Sequence, residues 1–173
     1  MTVPRSVPRS VPRSVLRTIT PDDHGDVLAL NERNVELTAP MDEARLVELA
    51  GLADRACVIE HDDQFAGFVL TFRAGSSYDS ANYRWFTKAY GEDFYYLDRV
   101  VVHENFRRLG LGSVVYDELE AHAQDLAPVF ALEVNLDPPN EPSLAFHRNR
   151  GYRRVGEQTV DGHVVELMVK ALR

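Results

Sequence analysis

Tyr96-Leu97-Asp98-Arg99-Val100-Val101-Val102-His103-Glu104-Asn105-Phe106-Arg107-Arg108-Leu109-Gly110-Leu111-Gly112 decides how this chain folds. The stretch 94–102 is rich in aromatic and β-branched residues and ends in three valines, which predicts a buried strand. A polar turn with two arginines and two glycines follows. Beyond it, Leu111, Val114, Val115, Leu119, His122, Ala123 and Leu126 recur at helical spacing and predict an amphipathic helix over 111–126. A strand leading through such a turn into a helix gathers unpaired N–H groups and the positive end of the helix dipole at one point. Gly110 and Gly112 let an anion approach the backbone, and Arg107 and Arg108 add charge. A pyrophosphate meets these requirements. The glycine spacing alone is a weak signal, and the flanking strand and helix give it weight. The bland alternative is a tight strand-to-helix turn with no ligand. A dinucleotide fingerprint needs another glycine spacing, and a nucleotide P-loop needs Lys-Ser/Thr after its last Gly; neither occurs here.

Upstream, residues 16–20 read as a short strand, and Thr20-Pro21-Asp22-Asp23 as a helix start: a cap, a first-turn proline and two acids at the positive end. A second helix is predicted over 42–52. Strands over 56–61 and 65–73 form a hairpin across Asp62-Asp63. Residues 74–93 are polar and aromatic and are too long for a simple connection, which predicts a functional loop. Downstream come a strand over 129–136, a short helix over 140–150 closed by Gly151, and a hairpin of 152–159 with 163–171 over Asp161-Gly162. The order is β-α-α-β-β-β-α-β-α-β-β, an α/β to α+β chain with a mixed sheet covered by helices.

At 173 residues the chain accommodates one domain. Residues 3–14 are three copies of Val-Pro-Arg-Ser, read as a disordered arm at 1–14 or, alternatively, a basic docking segment; the domain spans 15–173. The net charge is −8, and the arm through Arg17 holds four arginines and no acid, so the remaining chain is still more acidic. This balance argues against nucleic acid and is compatible with a cationic acceptor, although solubility alone also accounts for it. The single Cys57 lies in an apolar run and reads as a buried inert thiol. Without a disulfide or a secretory signal, the expectation is a cytoplasmic protein. No apolar run reaches the ~20 residues that span a bilayer. No Cys/His spacing points to zinc, so no metal is expected, and no Gly-x-Ser-x-Gly elbow occurs.

The opening stretch, taken with Leu132-Glu133-Val134-Asn135, Asn140, Ala145-Phe146-His147 and Gly151-Tyr152, resembles the GNAT superfamily of N-acyltransferases. The resemblance covers about residues 94–152, and the closing hairpin fits it. It implies a mixed sheet of six to seven strands, flanked by helices, that splays between strands 94–102 and 129–136. It implies acetyl-CoA as co-substrate in the gap. Val100, Val101 and Val102 would lend backbone bonds to pantetheine and thioester. Arg107, Arg108, Leu109, Gly110, Leu111, Gly112 and Ser113 would cradle the pyrophosphate, with Asn140 on the opposite side. It further implies an N-acetyltransferase in which an amine of a small molecule or protein attacks the thioester directly, in a monomer or homodimer. A sensor that binds acyl-CoA without turnover is the alternative.

An amine at neutral pH must lose a proton before attack, and a positioned base is worth roughly 10² to 10⁴ in rate. Alternation puts Phe130, Leu132 and Val134 on one strand face and Ala131, Glu133 and Asn135 on the other. Glu133 is the first choice for the base, because apolar neighbours would raise its pKa; the alternative is an exposed or arginine-paired carboxylate. Asp98 is the second choice, two residues before Val100 and so on the same face by alternation; the alternative is an ion pair with Arg99. His147 stands where the family resemblance implies a tyrosine near the CoA sulfur. It reads either as a proton donor or as a packing residue that binds pantetheine. Tyr96 could supply a phenol instead, or be a packed strand tyrosine. Tyr78, Asp79, Trp85 and Phe86 read as acceptor-binding residues on a loop that closes over substrate, or as a packed flap.

Overall fold

The computed structural model describes residues 15–173; the repeat arm read at 1–14 lies outside the described residues. Seven strands form one sheet: β1 (Val15–Thr18), β2 (Arg55–His61), β3 (Gln64–Arg73), β4 (Tyr95–Val102), β5 (Val129–Asp137), β6 (Arg153–Val160) and β7 (His163–Ala171). Their spatial order is β1-β2-β3-β4-β5-β7-β6. The helices are α1 (His24–Arg33), α2 (Glu43–Leu52), α3 (Ala81–Tyr90), α4 (Leu111–Gln124) and α5 (Glu141–Asn149). This is the expected mixed sheet flanked by helices. Among the described residues no helix is long and apolar enough to cross a membrane.

All neighbouring strands are antiparallel except β4 and β5, which are parallel and pair only at Tyr95↔Phe130 and Tyr96↔Ala131. From Leu97 onward β4 keeps β3 on one edge and, among the described residues, has no strand on the other. β5 meanwhile follows β7 through Asp137. The sheet therefore opens as a wedge toward the C-terminal ends of its two central strands, leaving one edge of β4 with backbone groups free to bond a ligand.

Each sheet face carries its own core. One holds Phe68, Leu70, Phe72, Tyr96, Val101 and Ala131 under Val27 and Leu30 of α1, Leu46 and Leu49 of α2, and Phe86 of α3. The other holds Val69, Leu97, Phe130, Leu132 and Val134 under Leu111, Val115 and Leu119 of α4 and Leu144 of α5. Cys57 is buried there, and loss of water raises its thiol pKa, as an inert core cysteine requires.

Two expectations change. Residues 74–93 are not a long loop, because α3 occupies their second half. Ser80 caps it by accepting from the Tyr83 N–H, and Gly91, at φ 62°, ends it. Tyr83, Phe86 and Tyr90 then fall on one helix face and pack inward. Trp85 lies against β6 so closely that a Cβ on Gly156 would sit 2.8 Å from its ring. The second change is in β4. The β3–β4 register steps from Leu70↔Arg99 to Thr71↔Leu97, which makes Asp98 the extra residue of a β-bulge. Alternation is broken there. Asp98 and Arg99 both bond groups on the α1–α3 face, whereas Val100 packs into the opposite core. The expectation that Asp98 shares a face with Val100 is corrected accordingly.

Candidate active site

The phosphate end is built from backbone. A turn of 3-10 helix (Glu104–Phe106) leads from β4 to Arg107. Arg108 then takes φ 64° and Gly110 φ 75°, so the chain is cranked twice before α4 begins. Gly110 is the residue before the helix, in the left-handed region where glycine is unstrained. A Cβ there would meet no protein atom within 4 Å. The glycine thus serves a conformation and keeps open a space that no described residue fills. The first amide of this helix with an acceptor is Val114 N, on Gly110 O at 3.3 Å; those of Leu111, Gly112 and Ser113 precede the first helical bond. Arg107, Arg108, Leu109 and Gly110 are exposed. Arg107 reaches back to Val102 O at 3.3 Å and Asn34 Oδ1 at 3.4 Å. Across the wedge, Asn140 caps α5 by accepting from Ser143 N. Exposed donors, an open helix start and a wedge beside the unpaired edge of β4 fit a pyrophosphate with an extended arm.

The other side of the wedge is built from side chains. Glu133 projects from β5 toward the α1–α3 face, as alternation predicts. Tyr96 Oη donates to its carboxylate oxygens at 2.8 and 2.7 Å. Asn82 of α3 faces it and draws its pKa down, and Gln158 of β6 holds Asn82 at 2.8 Å. Glu133 keeps partial exposure while protein crowds its carboxylate. Loss of water and the nearby negative charge of Asp98 raise its pKa to about 8, against the smaller opposing pull of Tyr96, Asn82 and Arg99. Tyr96 is itself fully buried, and burial together with Glu133 and Asp98 keeps its phenol protonated.

Asp98 is engaged twice: Tyr78 Oη donates to Oδ1, and Arg99 Nε to Oδ2 at 2.8 Å. Tyr78 is buried and stacks on Phe72 at 4.1 Å between centroids. Asp79 is exposed and paired with Arg45 of α2. Phe86 is completely buried, so it offers no surface to an acceptor, and Trp85 is packed on Gly156. Of the four predicted acceptor residues, Tyr78 and Asp79 lie beside the carboxylate pair and on the rim, and the two others belong to the core.

His147 is buried between α4 and α5. Its Nδ1 lies 2.6 Å from Ser143 O, and a carbonyl only accepts, so Nδ1 carries the proton. Nε2 then accepts from Tyr116 Oη at 2.6 Å. Both ring nitrogens are occupied, and burial lowers the imidazole pKa, keeping the ring neutral. The Asp98–Arg99 ion pair weighed as the alternative for Asp98 is present, and Tyr116, Asn82 and Asn31 are site residues that the sequence does not single out. Only Tyr116 left a trace, one position along from Val115 on the apolar face of α4.

A family model described as the acetyltransferase (GNAT) family matches residues 25–152. The fold is shared with solved structures of low sequence identity. Ard1 from Thermoplasma volcanium superposes with a TM-score of 0.71 at 18% identity, over 91% of this chain and 97% of that one. NAA60 of Arabidopsis thaliana in complex with acetyl-CoA gives 0.69 at 16%, over 92% and 99%. The ribosomal-protein-S18-alanine N-acetyltransferase of Escherichia coli gives 0.67 at 15%, over 92% and 94%. No curated protein matches the sequence.

Proposed function

Given that the chain belongs to the acetyltransferase (GNAT) family, we propose that it transfers the acetyl group of acetyl-CoA to an amine of a small molecule or protein by direct attack on the thioester. The single observation that carries the choice of an amine is Glu133: a carboxylate with a pKa near 8, in the wedge between β4 and β5, on the face away from α4. A base of that strength accepts a proton from an ammonium group far more readily than an ordinary carboxylate does.

Acetyl-CoA supplies the thioester. The amides at the start of α4, with Arg107 and Arg108, hold its diphosphate, and the free edge of β4 at Val100, Val101 and Val102 bonds the pantetheine arm. Asn140 closes on it from α5. The acceptor enters from the α1–α3 face. Glu133 takes the ammonium proton, Tyr96 orients the carboxylate by donating to it, and the free amine attacks the carbonyl carbon. The tetrahedral intermediate then breaks its C–S bond, the nitrogen releases its second proton to water, and CoA leaves as the thiolate. A β4 N–H donating to the carbonyl oxygen stabilises the developing oxyanion. His147 has no free nitrogen to give the departing thiolate, so its role in this reading is to lock α5 against Tyr116 of α4.

The experiment is a calorimetric titration with acetyl-CoA, followed by detection of free CoA thiol over a panel of amines and N-terminal peptides. Binding with amine-dependent thiol release supports the reading. Binding without release from any amine supports the sensor instead.

A further inference from the structure

Arg99 is a buried cation with an unusual set of partners. Its Nε holds Asp98 Oδ2 at 2.8 Å, and both side chains are 7% exposed. Its Nη1 lies 3.1 Å from Asn31 Oδ1 of α1 and 3.3 Å from Ala39 O in the loop between α1 and α2. Asn31, which has no exposure, donates to the same Ala39 carbonyl at 2.9 Å. A triangle of Arg99, Asn31 and Ala39 therefore pins this loop to the bulge of β4. The loop also spans the wedge, because Asn135 Nδ2 of β5 donates to Glu36 O at 3.2 Å. The same bulge that turns Arg99 toward the loop turns Asp98 toward Glu133.

Among the described residues the groups facing Glu133 are few. β4 contributes Tyr96, Asp98 and Arg99, and the segment before α3 contributes Tyr78. α3 contributes Asn82, held by Gln158 of β6, and both are neutral. Among these charges Arg99 alone is positive.

We propose that Arg99 is a positioning residue joining the α1–α2 loop to the bulge of β4 beside the base: its guanidinium fork fixes the loop through Asn31 and Ala39, and its ion pair with Asp98 holds that carboxylate on the Glu133 side of the sheet. The proposal rests on the reading of Glu133 as the base. Fork and charge are separable. Lysine keeps the charge and loses the fork, whereas methionine loses both.

The test is a carbon-13 carboxyl titration of Glu133 in the full chain without substrate, assigned against Glu133→Gln, together with amide hydrogen exchange over residues 34–42 and KM for the best amine. In Arg99→Met the Glu133 midpoint should rise by about one unit, because Asp98 is left uncompensated. In Arg99→Lys the midpoint should stay, while loop exchange accelerates and KM for the amine rises more than kcat falls. In the double variant Asp98→Asn/Arg99→Met the midpoint should drop below that of the wild type, because Asp98 weighs more on Glu133 than Arg99 does. The double variant also carries the charge test if Arg99→Met does not fold. An unmoved midpoint in the charge variants, or unchanged exchange and KM in Arg99→Lys, overturns the proposal. Absence of turnover on any amine defeats the base reading instead, and the titration and exchange still decide the role of Arg99.

Discussion

The two sides of the wedge solve opposite problems with opposite materials. In the proposed function the start of α4 receives a fixed anion, and the chain offers it main-chain amides, two left-handed residues and surface arginines. On the α1–α3 face the proposed acceptor must be deprotonated. There the chain offers buried and half-buried side chains drawn from β4, β5, β6, α1 and α3. A backbone site tolerates most side-chain changes and fails only when the turn is filled. A side-chain network responds in proportion to each group removed.

The largest expected effect is on the backbone side. Gly110→Glu puts a negative side chain where the diphosphate is proposed to sit, and acetyl-CoA binding by calorimetry should fall by at least ~100-fold, since every 1.4 kcal/mol is tenfold. Gly110→Ala sharpens the point: its Cβ meets open space, so it should lose only about 1–2 kcal/mol of stability from its positive φ and still bind. Equal loss in both variants would mean that conformation and not access controls the site.

Next, Glu133→Gln should lower turnover by roughly 10² to 10⁴ with acetyl-CoA affinity kept. Unchanged turnover would separate the carboxylate from the chemistry. The same residue makes a stability prediction that needs no substrate. Its folded pKa is raised, so between the ordinary carboxylate range and about pH 8 the folded protein holds a proton that the unfolded chain has released. Stability due to this group is lost as pH rises through that window. Thermal melts should show Glu133→Gln gaining on the wild type from pH 5 to pH 9, and parallel curves would contradict the shift. The smallest effect is at Ser80. Ser80→Ala removes the cap of α3 and should cost about 1 kcal/mol, or roughly 2–4 °C in Tm, with little change in acetyl-CoA binding.

The backbone side was legible in the sequence because its signals are local. Gly110, the arginines and the periodicity from Leu111 onward sit within one short stretch, and the strand-to-helix reading needed nothing more distant. Glu133 was legible for the same reason, since alternation within β5 sets its face. α3 was not, because Asn82, Tyr83, Trp85, Phe86 and Thr87 are weak helix formers. Its helix is held by packing on Phe94, Tyr96 and Gly156; Ser80 and Gly91 were the marks to read. The bulge at Asp98 leaves no trace in β4 alone, because an extra residue exists only relative to the partner strand. The triangle of Arg99, Asn31 and Ala39 joins positions 60 and 68 residues apart and had no local signal at all.

The most direct test of this account is the pH profile of kcat/KM for one accepted amine, measured in the wild type and in Glu133→Gln. Ionisation of the amine itself appears in both and cancels in the comparison. The wild type should gain activity through an apparent pKa of about 8, and the variant should lose that limb while retaining the one belonging to the amine. The same limb at the same pH in both proteins would contradict a buried carboxylate base.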